Sequence, residues 1–310
     1  MTRHRCVCLV LYDTWLSPSQ TLEIYGPLGT RAYVRSALRF TYTLLGGRYV
    51  VHELRFATDP TDDPADSIPR HSFELSTGSN IIQDEDGAWK DIFRDNLSAV
   101  SAAPIFHSVP CVGFVVDELP VPGKIDPKLY APHIMRNKGA LIQSGIEKPM
   151  SLLARIQVGD AITLPDGTLL EPPPRRPGRR LVILGDTHDP SPIAELARDA
   201  DILIHEATNA HLPGILGVAS KSDDTAESVE ARTKSRGHST PQMAGAFATK
   251  IGAKKLVLNH FSARYPSDED GNQEAKVIMG AIRDLAKIKF AGEVVCARDL
   301  MSMTVPRAFD

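Results

Sequence analysis

The chain is notable first for what it has little of. Its four cysteines, Cys6, Cys8, Cys111 and Cys296, have neither the paired spacing of a zinc knuckle nor that of a secreted disulfide framework, which fits a reducing compartment. No apolar run is long enough to cross a bilayer. Arg3 and Arg5 flank the start of an apolar stretch, but Asp13 interrupts it and no small-residue cleavage site follows, so a signal peptide is not expected. A net charge of −3 argues against a wholly basic nucleic-acid binder while leaving room for a local basic patch. There is no internal repeat. What remains, at 310 residues, 42% hydrophobic and 24% charged, is an ordinary globular composition with length for one large domain or two small ones.

The most informative stretch runs over residues 179–208. Residues 181–184 form an apolar run stopped at Gly185, and residues 202–204 form a second, stopped at His205-Glu206. Between them Ile193, Leu196 and Ala197 recur at helical spacing after Ser191-Pro192, which reads as an N-cap and first helical residue. This predicts a strand-helix-strand unit with strands buried on both faces. Each strand ends in residues able to ligate metal or move protons: Asp186, then His205 and Glu206. Sites gather at such strand ends because the sheet fixes the backbone while the loops present side chains.

Earlier in the chain, residues 22–25 read as a strand and 26–30 as a turn. A helix follows, with Tyr33, Val34, Ala37, Leu38 and Phe40 as its apolar face. Residues 49–56 alternate like a strand. Residues 59–95 hold ten acids against three bases, interspersed with Pro and Ser, and read largely as a solvated surface excursion. Two apolar strands follow at 97–106 and 112–116, with His107-Ser108-Val109-Pro110 at the corner. From 120 to 180 the balance reverses, with ten bases against five acids. That segment contains Asp126-Pro127 as a helix start and a Pro165-Asp166-Gly167 turn. After Thr208 comes a polar loop. A helix at 240–251, a strand at 255–258, a long amphipathic helix at 276–288 and a last strand at 294–296 complete the pattern.

Taken singly, the polar candidates have ordinary readings. Asp186 beside Gly185 can cap a turn, Glu206 and His205 can be a surface pair, and His238-Ser239-Thr240-Pro241 is a reasonable helix N-cap. Yet His107, Asp186, Glu206, His238 and His260 all stand at a strand end or a helix start, which capping alone does not explain. Imidazoles and carboxylates together are what Zn²⁺ takes as ligands.

In order along the chain stand Tyr25-Gly26-Pro27, Phe106-His107-Ser108-Val109, Gly185-Asp186-Thr187, His205-Glu206-Ala207-Thr208, Gly237-His238-Ser239-Thr240 and Asn259-His260-Phe261-Ser262-Ala263-Arg264-Tyr265. This ordered set resembles ribonuclease Z, the tRNA 3′-processing endonuclease of the metallo-β-lactamase superfamily. Gly-Asp-Thr alone is a weak motif; the closing His-Phe-Ser-Xaa-Arg-Tyr string is specific. The resemblance implies an α/β fold, the αββα metallo-β-lactamase sandwich, as a single domain over residues 1–310. It implies two Zn²⁺ ions in the complete enzyme, with His107, Asp186 and His260 as metal ligands, Asp186 bridging, and Glu206 with His238 as an acid-base pair. It implies that residues 120–178 are a protruding arm that grips tRNA, with Lys124, Lys128 and Lys138 as phosphate contacts. The implied partners are precursor tRNA and a second copy of the chain as a homodimer. The setting is intracellular, with nucleus, cytosol and mitochondrion left open.

One part of the family pattern is missing. The superfamily's His-Xaa-His-Xaa-Asp-His motif, which supplies most ligands to both metals, belongs upstream of Gly26-Pro27, where the sequence offers only His4. Truncation of a working enzyme at the N-terminus is the favoured expectation, and a degenerate, non-catalytic tRNA- or protein-binding remnant is the alternative. The chain as given is then expected to hold one ion or none. The loss is also expected to leave an exposed apolar edge near Ile24 and Leu54.

Overall fold

The structure is a computed structural model and describes residues 9–11, 21–215, 224–266 and 272–307. Cys6, Cys8 and most of the opening apolar stretch lie outside the described residues. The chain divides into two compact units, Met1–Asp117 with Arg180–Met303, and Glu118–Arg179 with the residues from Thr304.

In chain order the first unit opens with strands β1 (Leu9–Leu11) and β2 (Thr21–Pro27), helix α1 (Thr30–Phe40), and strands β3 (Arg48–Arg55) and β4 (Asn80–Ile82). These strands form one sheet in the order β1-β2-β3-β4, with β2, β3 and β4 parallel. Strands β5 (Trp89–Arg94), β6 (Ser98–Ile105) and β7 (Cys111–Glu118) start a second sheet. The second unit supplies α2 (Pro127–Arg136), α3 (Lys138–Gln143), α4 (Leu152–Val158) and the hairpin β8 (Ile162–Thr163) and β9 (Leu169–Leu170). The first unit resumes with β10 (Arg180–Ile183), β11 (Ile202–Glu206), α5 (Ala226–Ser235), α6 (Pro241–Lys250), β12 (Lys255–Asn259), α7 (Gln273–Lys287) and β13 (Glu293–Cys296). The large sheet runs β13-β12-β11-β10-β7-β6-β5, and β10 to β13 are mutually parallel.

Period-two alternation gives the large sheet two buried faces. On β6 and β7, Val100, Ala102, Val112 and Phe114 join Tyr25, Leu54 and Trp89 in the core between the sheets. Their neighbours Ala103, Ile105, Cys111 and Val115 join Ile278, Ile282, Phe247 and Ala248 of α6 and α7 in the core under the helices. Gly113 leaves room for that packing, because a Cβ would lie 2.7 Å from Leu184 Cδ2 and 2.9 Å from Ile193 Cδ1 and would push those side chains aside. Each large apolar side chain so buried contributes roughly 1.5–3 kcal/mol. Thr240 caps α6 by accepting from Met243 N, with Pro241 as first helical residue. Among the described residues no helix is long and apolar enough to cross a membrane.

Several sequence expectations are corrected. The link between β10 and β11 holds only a short 3₁₀ turn, Ser191–Ile193, not an α-helix. Pro190 occupies its cap position without a side-chain cap, and Asp199 at φ 56° turns the backbone out of helical space before β11. Ile193 and Ala197 are nevertheless buried. Strand β10 alternates, burying Val182 but only part of Leu181 and Ile183. The apolar face expected on α1 is met in part: Val34 and Leu38 pack against the core of Ile24, Tyr49 and Val51, but Tyr33 is 72% and Phe40 88% exposed, and Arg31 and Arg35 are buried instead. The acidic segment 59–95 is not simply surface, since it supplies β4, β5 and the fully buried Trp89. Ile24 and Leu54 are buried, so no exposed edge exists there: β1 pairs with β2, and Leu54 lies between the sheets. The loop after Thr208 contains α5, which buries only Val229 and Thr233 and so carries no apolar stripe.

The second unit has its own small core of Ile134, Leu141, Leu152, Ile156, Leu164 and Leu170. Asp126 caps α2 by accepting from Lys128 N. Where this unit begins and ends, Glu118 N donates to Arg179 O at 2.8 Å and Glu118 also pairs with the Arg179 and Arg307 guanidiniums. Gly178 permits that approach, since a Cβ would fall 1.7 Å from Glu118 O.

Candidate active site

Asp186, Glu206 and His260 stand at the C-terminal ends of the adjacent parallel strands β10, β11 and β12. His107 follows β6, and His238 precedes α6. The structure brings all five together.

Glu206 is the hub. It is almost fully buried, and each carboxylate oxygen accepts from two donors. Oε1 takes Thr187 N at 2.8 Å and His238 Nδ1 at 2.9 Å. Oε2 takes Thr208 Oγ1 at 2.5 Å and Thr208 N at 3.3 Å. Glu206 is the last residue of β11, and its donors come from the loop after neighbouring β10, from Thr208 beyond β11 and from His238 before α6.

The imidazoles are arranged around it. His107 Nδ1 lies 2.7 Å from Gly237 O, which can only accept, so Nδ1 carries the hydrogen. Ser108 Oγ lies 3.3 Å from His107 Nε2. Gly237 has φ 87°, and a Cβ there would lie 2.5 Å from His107 Nδ1, so glycine serves both the turn and the close approach. His238 sits edge-on to His107 at 5.0 Å between ring centroids and stacks on His260 at 5.4 Å. His260 Nε2 is 3.5 Å from Asp186 Oδ1. His260 has φ 55°, a left-handed conformation uncommon outside glycine, in which histidine is among the enriched residues.

Two sets of ligand atoms lie within 4.8 Å of one another: His107, Asp186 and His238, and Glu206, His238 and His260. By distance alone, His238 is as eligible for metal as its neighbours. His260 is half-exposed while Glu206 is closed off, so the cluster opens to solvent on the His260 side.

Sequence reading missed the groups that brace the cluster. Thr187 Oγ1 donates to Phe106 O at 2.8 Å, and buried Ser239 donates to Thr187 O at 2.6 Å, joining the loops that carry His107, Asp186 and His238. Thr208 contacts both Glu206 and His260. Short hydroxyl residues next to acids at strand ends were the available signal. His205 faces away: its Nδ1 donates to Glu206 O at 2.7 Å, its ring packs against Phe247, and burial pushes its pKa down. Lys124, Lys128 and Lys138 belong to the second unit, and each is exposed.

No family model matches the chain. Curated relatives do. It is 32% identical over 306 residues to "Zinc phosphodiesterase ELAC protein 1" of Bos taurus, covering 93% of this chain and 75% of that one. It is 30% identical over 298 residues to "Ribonuclease Z" of Bacillus velezensis, covering 93% and 72%.

The chain belongs to the ribonuclease Z family.

Among solved structures, the short form of human tRNase Z matches this family member with a TM-score of 0.50 at 27% identity, covering 93% of this chain and 68% of that one. The two-sheet sandwich with helices outside is thus the metallo-β-lactamase fold of a family of phosphodiesterases and ribonucleases.

Proposed function

We propose that this ribonuclease Z family member is a zinc-dependent endoribonuclease that removes the 3′ trailer from precursor tRNA. The observation that carries the reading is the convergence of His107, Asp186, Glu206, His238 and His260 at the ends of parallel strands. The donor set fits zinc: imidazole nitrogens and a carboxylate within a few ångströms, with the cluster open on one side. His107, Asp186 and His260 would hold the metal. Three ligands are fewer than two closed sites require, and the three fall in different close-set groups, His107 and Asp186 in one and His260 in the other, with His238 common to both. Bound zinc supplies Lewis acidity toward the phosphodiester and hydroxide at neutral pH.

The chain's own residues do the rest. Glu206 holds His238 through Nδ1, leaving His238 Nε2 to handle the proton of the leaving oxygen. Burial of Glu206 and its four donors keep that carboxylate from swinging toward solvent. The same reading makes residues 1–310 a single metallo-β-lactamase domain with residues 120–178 as the tRNA-gripping arm, and the exposure of Lys124, Lys128 and Lys138 there supports it. In that segment Arg136 pairs with Asp166 and Arg155 with Asp160, whereas no ion pair is found for Lys124, Lys128 or Lys138 among the described residues. Those three lysines are left for phosphate. A homodimer belongs to the same reading and is tested by the mass in solution.

A specific observation favours a second reading, binding without cutting: the His-Xaa-His-Xaa-Asp-His motif is absent from the 310 residues. One assay separates the two. Precursor tRNA is incubated with the chain over a range of salt and zinc, following both binding and trailer release. Zinc-dependent release supports the nuclease; tight binding with no release at any zinc concentration selects the second reading. Replacing Lys124, Lys128 and Lys138 by alanine should weaken binding and flatten the log-affinity against log-salt slope by roughly 3, about one per lost phosphate contact. An unchanged slope would remove these lysines from the interface.

A further inference from the structure

We propose that Thr208 is a positioning residue that fixes the tautomer of His260, so that Nε2 carries the lone pair on the side of Asp186. The inference rests on the reading above only in making His260 a metal ligand; that Nδ1 bears the hydrogen follows from hydrogen-bond geometry, and in the neutral ring Nε2 then carries the lone pair.

A threonine hydroxyl has one hydrogen to give and lone pairs to accept with. Thr208 Oγ1 lies 2.5 Å from Glu206 Oε2, 2.8 Å from His260 Nδ1, 3.1 Å from His260 O and 3.4 Å from His238 Nδ1. A carboxylate can only accept, and oxygens 2.5 Å apart require a hydrogen between them, so the hydroxyl hydrogen goes to Glu206. Only lone pairs then face His260 Nδ1. The opposite tautomer would set a nitrogen lone pair against an oxygen lone pair at 2.8 Å, so Nδ1 must bear the hydrogen. His238 Nδ1 does not compete, because Glu206 Oε1 accepts from it at 2.9 Å.

The result is a chain from His260 Nδ1–H to the Thr208 hydroxyl to the Glu206 carboxylate. It has the form of the carboxylate-backed imidazole that raises a ligand's basicity, with a hydroxyl interposed. Thr208 also holds the backbone: Ser262 N donates to Thr208 O at 3.0 Å, across the left-handed turn at His260. One side chain thereby joins the proton-handling pair to a proposed metal ligand.

The test is nitrogen-15 NMR of the histidine rings in the metal-free protein, with the His260 signals assigned by their loss in His260→Gln. At a pH high enough to keep the ring neutral, the wild type should show a protonated Nδ1 and an unprotonated Nε2 at His260. Thr208→Val, which keeps the shape and removes the hydroxyl, should give a mixture or the opposite tautomer, and Thr208→Ser should restore the wild-type pattern. An unchanged tautomer in Thr208→Val overturns the proposal, as does a serine variant that behaves like valine. Zinc affinity of the same proteins is read separately and should fall roughly 10–100-fold in the valine variant. A tautomer change with unaltered zinc affinity upholds the positioning role and refutes His260 as a ligand.

Discussion

Two polar clusters in the first unit resemble each other on paper and differ in kind. Around α1, Arg35 grips Glu74 with two hydrogen bonds of 2.7 Å and donates to Ala65 O and Ile68 O. Arg31 pairs with Asp63 and reaches Asn80 Oδ1, while Glu53 Oε1 accepts from Gly29 N and Arg31 N. Burial pushes the Glu53 carboxyl upward against the opposing pull of Arg31, and pushes the Tyr49 hydroxyl to about 12. In the other cluster the counter-groups of Asp186 and Glu206 are imidazoles, and His260 is half-exposed. Guanidinium keeps its charge and its fork matches a carboxylate, so the first cluster is closed and structural. Imidazole can hold, lose or lend a lone pair, so the second is open and suited to chemistry.

The largest stability effect should come from breaking the closed cluster. Arg35→Ala leaves Glu74 buried and unpaired, at a cost of about 3–5 kcal/mol in denaturant unfolding. Replacing the pair together, Arg35→Met with Glu74→Leu, should recover most of that. If the single variant costs under about 1 kcal/mol, the closed-cluster view fails. A smaller effect belongs to the second unit. Hydrogen bonding to Arg179, with Arg307 nearby, holds the Glu118 carboxyl down at about 2. A depressed carboxylate contributes stability that is present above its ordinary value of 4.5 and lost as pH falls toward 2. Glu118→Gln should therefore cost about 1–2 kcal/mol near neutrality, because the pair is only partly shielded from solvent. Its deficit against wild type should shrink through that acid window, and a deficit that stays constant with pH would contradict the charge assignment.

The same contrast explains what was legible in the sequence. Helix α7 buries Ala275, Ile278, Met279, Ile282 and Ala286, and hydrophobic periodicity finds it. Helix α1 has the same kind of apolar pattern, but its inward face is decided by acids supplied from β3 and the segment after it, which no local pattern shows. Acidic residues 59–95 look solvated for the same reason: Asp63 and Glu74 have their partners on a helix some thirty to forty residues earlier. The five candidate site residues were legible because each ends a strand or starts a helix. Thr208 was not, since a hydroxyl's role depends on which tertiary neighbours take its hydrogen and its lone pairs. The capped starts of α2 and α6 were legible because Asp126-Pro127 and Thr240-Pro241 act locally.

The division of labour inside the open cluster is the central claim, and zinc content measures it most directly. Wild type, Asp186→Ala and His238→Ala are each loaded with zinc, freed of excess and assayed for bound metal. The expected result is zinc in the wild type, none in Asp186→Ala, and wild-type content in His238→Ala, since a proton-transfer group changes rate by roughly 10²–10⁴-fold without ligating. Loss of zinc from His238→Ala, with retention in Asp186→Ala, would make His238 a ligand and contradict the assignment.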